Sequence, residues 1–216
     1  MRIFVFGAIL LAAVFLFGED GRSLDMKSLD ISSMQERYGP FAAARFRYLE
    51  ELVESLKDSD DMTKLEKVND FWNGVRYGTD PSVWGKRDYW ATPYETLIKD
   101  RGDCEDYVIA KYFTLKRVGF DAKKLYFVYA RVKGKNISHM VLAYYNDDRS
   151  DPLILDNINL KIFSSKDRKD LVPVYTFNGE LLQRFADKSA GGLVKKELIV
   201  KRKWNDLIER MKRFEP

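Results

Sequence analysis

The chain of 216 residues has one cysteine and one histidine. A single cysteine excludes an intrachain disulfide, and one residue of each kind excludes a structural zinc site assembled from Cys and His. Any imidazole chemistry therefore rests on His139 and any thiol chemistry on Cys104. A strong charge of one sign is also lacking. Lys and Arg number 37 against 33 Asp and Glu, a net of +4 that is too mild and too mixed for a nucleic-acid binder. There is no Gly-rich phosphate loop, no G-x-S-x-G elbow, no internal repeat and no low-complexity stretch. What remains is a composition of 45% apolar and 32% charged residues, enough to bury a real core.

After Met1-Arg2 comes an uncharged apolar run, Ile3–Gly18, closed by Glu19, Asp20 and Arg22. A short positive start and an apolar stretch of this kind read as a secretory signal peptide. The run is shorter than the roughly 20 residues of a spanning helix. Phe15-Leu16-Phe17-Gly18 lacks a small-x-small cleavage pattern, so an uncleaved signal anchor, tethering the chain through residues 3–18, is the alternative. Either way, the bulk of the chain is expected across a membrane from the cytosol. Residues 19–39 read as a linker, 40–187 as the domain, and 188–216 as a basic C-terminal helical extension. That extension has a partial apolar stripe of Leu193, Leu198, Trp204, Leu207, Ile208 and Met211, expected to pack on the domain with a solvated basic face. Since it carries no candidate catalytic group, it is expected to be dispensable for activity.

Inside the domain, helical periodicity comes first. Phe41 to Leu56 and Met62 to Val75 each carry an amphipathic stripe. Thr92-Pro93-x-Glu95 is a strong helix start, and Asp103 can cap the helix that follows, with Gly119 as its stop. The period then changes. Leu125–Val132 and His139–Tyr145, joined by Lys133-Gly134-Lys135-Asn136, give a β-hairpin signal. Leu153–Leu155 and Val172–Phe177 read as further strands. Helices first and strands after predict an α+β domain with an antiparallel sheet.

Cys104 falls where a loop turns into a helix, a place where backbone N–H groups and the helix dipole stabilise an anion. Its neighbours in Gly102-Asp103-Cys104-Glu105-Asp106 are polar, unlike those of a core cysteine. His139 begins a strand, and Asp156 ends the strand Leu153–Leu155. Each is unremarkable alone. Together they supply a thiol nucleophile, its base and the group that orients that base. The Cys104 N–H is the natural oxyanion donor at a helix start, and the Trp90 region is a candidate for the second.

The segments Asp88-Tyr89-Trp90-Ala91-Thr92-Pro93 and Gly102-Asp103-Cys104-Glu105-Asp106-Tyr107 resemble the bacterial transglutaminase-like cysteine proteinases. The resemblance continues through Ala110-Lys111-Tyr112, His139-Met140-Val141-Leu142 and Leu155-Asp156-Asn157, and spans roughly Tyr38 to Phe177. It implies a papain/transglutaminase-like core, with the nucleophile at a helix start packed on the sheet and Cys104, His139 and Asp156 as the triad. It also implies a periplasmic, Ca²⁺-dependent endopeptidase that clips the N-terminal region of a large repeat-containing surface adhesin. The cut is expected beside a pair of small residues, typically alanines, and favours biofilm release. The acids flanking the nucleophile, Asp103 and Glu105, would carry the Ca²⁺, with Asp106, backbone carbonyls and water completing its shell. The partner implied besides the adhesin is an inner-membrane cyclic di-GMP receptor that sequesters the protease. Two other readings stay open on the residues: a transglutaminase-like acyl transferase using the same triad, and a non-catalytic Ca²⁺-responsive binding module.

Overall fold

A computed structural model of the chain describes residues 30–135, 137–147, 150–180 and 195–214. The expected signal segment, with the possible tether at residues 3–18, lies outside the described residues, as do residues 19–29 of the expected linker. Residues 31–38, expected as the end of that linker, instead form helix α1 (Ile31–Tyr38), capped by Asp30 and anchored by the fully buried Met34. Among the described residues no helix is long and apolar enough to cross a membrane.

Helices α2 (Pro40–Ser55) and α3 (Asp61–Asn73) follow the two apolar stripes. Asp60 caps α3 by accepting from the Thr63 amide. The loop after α3 holds strand β1 (Arg76–Tyr77) and a short helix, α4 (Asp80–Trp84), where the sequence reads only as turn. Helix α5 (Pro93–Lys99) starts with a capping box: Thr92 Oγ1 accepts from the Glu95 amide, and Glu95 accepts from the Thr92 amide. Strand β2 (Arg101–Gly102) pairs in parallel with β1 and leads directly into α6 (Cys104–Arg117).

Helix α6 is the centre of the molecule. Val108, Ile109, Ala110, Tyr112, Phe113 and Leu115 are buried on several faces because α3 and α5 flank the helix and the sheet covers it. Gly119, at φ +100°, takes the chain out of it in a conformation that other L residues rarely adopt. The antiparallel sheet is built from β3 (Leu125–Val132), β4 (Ser138–Tyr144), β5 (Leu153–Leu155), β6 (Phe163–Ser164) and β7 (Leu171–Asn178). Their spatial order is β6-β5-β4-β3-β7. The β3–β4 register sets Ala130 opposite His139, and β4 pairs β5 with Leu142 opposite Leu155.

The last helix, α7 (Lys195–Arg213), is part of the same core. Val200, Trp204, Leu207, Ile208 and Met211 are buried, and the Trp204 ring stacks on Phe113 and meets Tyr112 and Phe127 edge-on. Leu198, on the stripe read from the sequence, is exposed, and Val200 takes the inward place. The basic face of α7 is not wholly solvated: Lys203 pairs with Asp88, and Arg210 with Glu95 and the Trp90 carbonyl.

Candidate active site

Several elements converge on one cavity of about 480 Å³. Its lining includes Cys104 and Tyr107 from α6, His139 from β4, Asn73 at the end of α3, and Asn157 beyond β5. Cys104 reaches it as the first residue of α6. The β1–β2 bridge fixes the entry to that helix, and Gly102 lies so close to Asp106 that a Cβ would come within 2.8 Å of the Asp106 Cβ. A larger residue at 102 would therefore displace the turn that presents the thiol.

His139 and Asp156 are brought together by the sheet, one strand apart. His139 Nε2 lies 2.7 Å from Asp156 Oδ1, and both side chains are almost fully buried. Asp156 also accepts from the Ile158 amide at 2.9 Å and from Arg168 Nη2 at 2.7 Å. Burial alone would raise its pKa. The hydrogen bond and charge of His139, the Ile158 amide and the Arg168 guanidinium outweigh burial and hold the carboxyl well below its usual range. An ionised Asp156 only accepts, so the proton of a neutral His139 sits on Nε2. Nδ1 is then the free base facing away from the carboxylate. The Asp156 carbonyl is held as well: Asn73 Nδ2 donates to it at 2.9 Å and Lys111 Nζ at 3.1 Å. Lys111 is fully buried, which lowers its pKa to about 7 against the opposing pull of Asp156 and Asp70.

The surroundings of Cys104 have the opposite sign. Its thiol donates to Glu105 Oε2 at 3.0 Å. Burial, then the charge and hydrogen bond of Glu105 and the charge of Asp103, push the thiol pKa well up, against a hydrogen bond from the Met140 amide. Asp80, Asp103 and Asp106 gather beside it with one carboxylate oxygen of each within 4.8 Å of the others. The same holds for Asp80, Asp88 and Glu105. Burial first, and then the neighbouring acids, raise Asp103 to about 9, and burial raises Asp80 to about 6. Asp106 is largely committed to the backbone: its two oxygens accept from the Ala91 amide at 2.7 Å and the Asp103 amide at 3.2 Å. Oδ1 of Asp80 and Oδ1 of Asp103 are buried with no hydrogen-bond partner.

Trp90 is not among the residues lining the cavity. It is 2% exposed and stacks on Phe177, so its ring belongs to the core. Sequence reading missed Asp80, Asn73, Lys111 and Arg168. Asp80 reads as a turn residue beside Pro81, and Lys111 as one more charge on a helix. Nothing local in the sequence marks either as buried.

The family model for bacterial transglutaminase-like cysteine proteinases matches residues 48–170. Comparison with curated proteins gives no match. Among solved structures, LapG of Legionella pneumophila is 38% identical, with a TM-score of 0.68 over 85% of this chain and 98% of that one. The same protein in calcium-bound form is 36% identical, with a TM-score of 0.68 over 84% and 97%. Its EGTA-treated form is 37% identical, with a TM-score of 0.68 over 85% and 98%. The chain belongs to the bacterial transglutaminase-like cysteine proteinase family and is a transglutaminase-like cysteine protease.

Proposed function

We propose that this protease is a Ca²⁺-dependent periplasmic endopeptidase that uses Cys104, His139 and Asp156. One observation carries the reading: the buried 2.7 Å His139–Asp156 contact opens onto the same cavity as the only thiol of the chain. The thiol proton passes to His139 Nδ1 and the Cys104 thiolate attacks the scissile carbonyl, with the Cys104 N–H at the start of α6 facing the developing oxyanion. The imidazolium, held by Asp156, protonates the leaving amine, and a thioester remains. Water, deprotonated by His139, then hydrolyses the thioester and frees the thiol.

The acids beside Cys104 fit a hard divalent cation. Two buried carboxylate oxygens without partners, on Asp80 and Asp103, are what such an ion would satisfy. Asp80, Asp103 and Glu105 would hold it, and Asp106 keeps its two amides in place. When bound, the ion supplies positive charge that offsets the acids crowding the thiol. The solved calcium-bound form of the Legionella pneumophila protein supports Ca²⁺ as the metal.

The substrate in this reading is the N-terminal region of a large repeat-containing surface adhesin, cut at an Ala-Ala type site, so that cleavage favours biofilm release. An inner-membrane cyclic di-GMP receptor would restrain the protease, and residues 3–18 either direct export or tether the chain. The test is digestion of an adhesin N-terminal fragment by purified protein. Cleavage should stop in EGTA, return with Ca²⁺ better than with Mg²⁺, and be absent in Cys104→Ala. Cleavage by Cys104→Ala would end the thiol-protease mechanism, and full-rate cleavage in EGTA would end the calcium assignment.

A further inference from the structure

The orienting carboxylate of a thiol protease has to stay still. Asp156 follows a three-residue strand and opens a loop, outside any regular element of its own. Yet the residue is held at both of its polar ends by cations from distant parts of the chain. Arg168, 4% exposed, donates from Nη2 to Asp156 Oδ2 at 2.7 Å and to Asp170 Oδ2 at 2.8 Å, while its Nε donates to Asp170 Oδ1 at 2.9 Å. The guanidinium is thus fixed by one acid while it fixes the other. On the main-chain side, Lys111 Nζ donates to the Asp156 carbonyl and to Asn73 Oδ1, at 3.1 and 2.8 Å, and Asn73 Nδ2 donates to the same carbonyl. The three groups close a triangle behind the residue.

Burying a lysine is costly, and an apolar residue of similar volume often serves stability as well or better. Core packing alone therefore does not account for Lys111. We propose that Arg168 and Lys111 are positioning residues that fix Asp156 against His139, Arg168 through the carboxylate and Lys111, with Asn73, through the main-chain carbonyl. The inference rests on the triad reading and goes beyond it. With Oδ2 held by Arg168, Asp156 Oδ1 is shared between the Ile158 amide and His139 Nε2, and the imidazole keeps Nδ1 free for the thiol. Neither cation touches substrate. Both act through Asp156.

One histidine and one cysteine make the test specific, because each gives a single signal. The full chain is labelled with ¹⁵N, and the ring resonances of His139 are recorded with Ca²⁺ present for wild type, Arg168→Met, Arg168→Lys, Lys111→Met and Asp156→Asn. The rate at which iodoacetamide labels Cys104 near neutral pH and the thermal midpoint are measured on the same samples. Wild type should show a protected Nε2–H and the tautomer with Nδ1 unprotonated. Arg168→Met and Lys111→Met should lose that protection and label roughly 10- to 100-fold more slowly, the scale of a displacement of about 1 Å. Lys111→Met should do so with its thermal midpoint kept, which loss of a purely structural lysine would not allow. Arg168→Lys should restore much of both signals, since an ammonium still reaches one carboxylate oxygen. Wild-type ring signals and labelling in both Met variants, alongside a clear defect in Asp156→Asn, would overturn the inference and leave the triad standing. If Asp156→Asn itself matches wild type, the triad reading fails and this inference falls with it.

Discussion

The two walls of the cleft differ in how far the chain completes them. On the His139 wall the charges alternate: an imidazole, the Asp156 carboxylate, the Arg168 guanidinium and Asp170, with Lys111 behind. On the Cys104 wall acids crowd together, and two buried carboxylate oxygens have no partner. Buried polar groups in folded proteins are nearly always satisfied. On the first wall every carboxylate oxygen has a partner within the protein, and the unpartnered buried atoms are Arg168 Nη1 and Asn157 Oδ1; on the second, two buried carboxylate oxygens are left that a cation would satisfy. In the proposed mechanism base and orienter are preset, and the nucleophile depends on a cation.

The sharpest way to break this contrast is to remove a member of the finished wall. His139→Ala should lower cleavage by about 10²–10⁴-fold, since no second histidine can act as general base. Circular dichroism of the variant should match wild type. Asp156→Asn should cost less, because it misorients the base without removing it. On the other wall, Asp80→Asn with Asp103→Asn should abolish the rise in thermal midpoint that Ca²⁺ gives to wild type. The same pair should raise the midpoint measured in EGTA near neutral pH, because two carboxyls whose ionisation burial makes costly are gone.

The helix α7 bears on the acidic wall from outside, through Lys203 on Asp88 and Arg210 on Glu95 and the Trp90 carbonyl. Trp204→Ala should destabilise the protein by about 3–5 kcal/mol, as for other buried tryptophans, read by denaturant unfolding. A chain ending near Asp187, expected from sequence to stay active, also loses the buried Val200, Leu207, Ile208 and Met211 and should not fold stably.

The smallest expected effect is a difference in pH response. Asp156 has a lowered pKa in the folded protein, so its contribution is present above the unfolded value near 4 and is lost as pH falls below it. Asp103 is raised to about 9, so the folded protein binds its proton more tightly than the unfolded chain does. Its contribution is present at low pH and is lost as pH climbs from about 4 toward about 9. In EGTA the thermal midpoint should therefore fall between pH 5 and 8, and Ca²⁺ should flatten that slope. An equal slope with and without Ca²⁺ would remove the distinction between the walls.

Much of the His139 wall was legible in the sequence. The change of period after Gly119 marks the hairpin, and Asp156 stands at the end of a recognisable strand, so adjacent antiparallel strands bring it beside His139. The cap at Asp103 and the polar run around Cys104 locate the start of α6. The partners of Asp156 were not legible. Lys111 lies one helical turn from apolar neighbours and looks like a solvated charge, and only the packing of α3 and β5 around α6 buries it. Asp80 comes to Asp103 through the β1–β2 bridge, a long-range pairing of two residues each that leaves no periodic trace. The helix α1 hid in what reads as a linker because its burial depends on one residue, Met34.

The most direct test of the account is the rate at which the single thiol is labelled by iodoacetamide, measured near neutral pH in Ca²⁺ and in EGTA, for wild type and for His139→Ala. The account predicts fast labelling only in wild type with Ca²⁺, and slow labelling when either the cation or the imidazole is removed. Equal rates in all four conditions would mean that neither wall acts on Cys104, and would contradict the account at its centre.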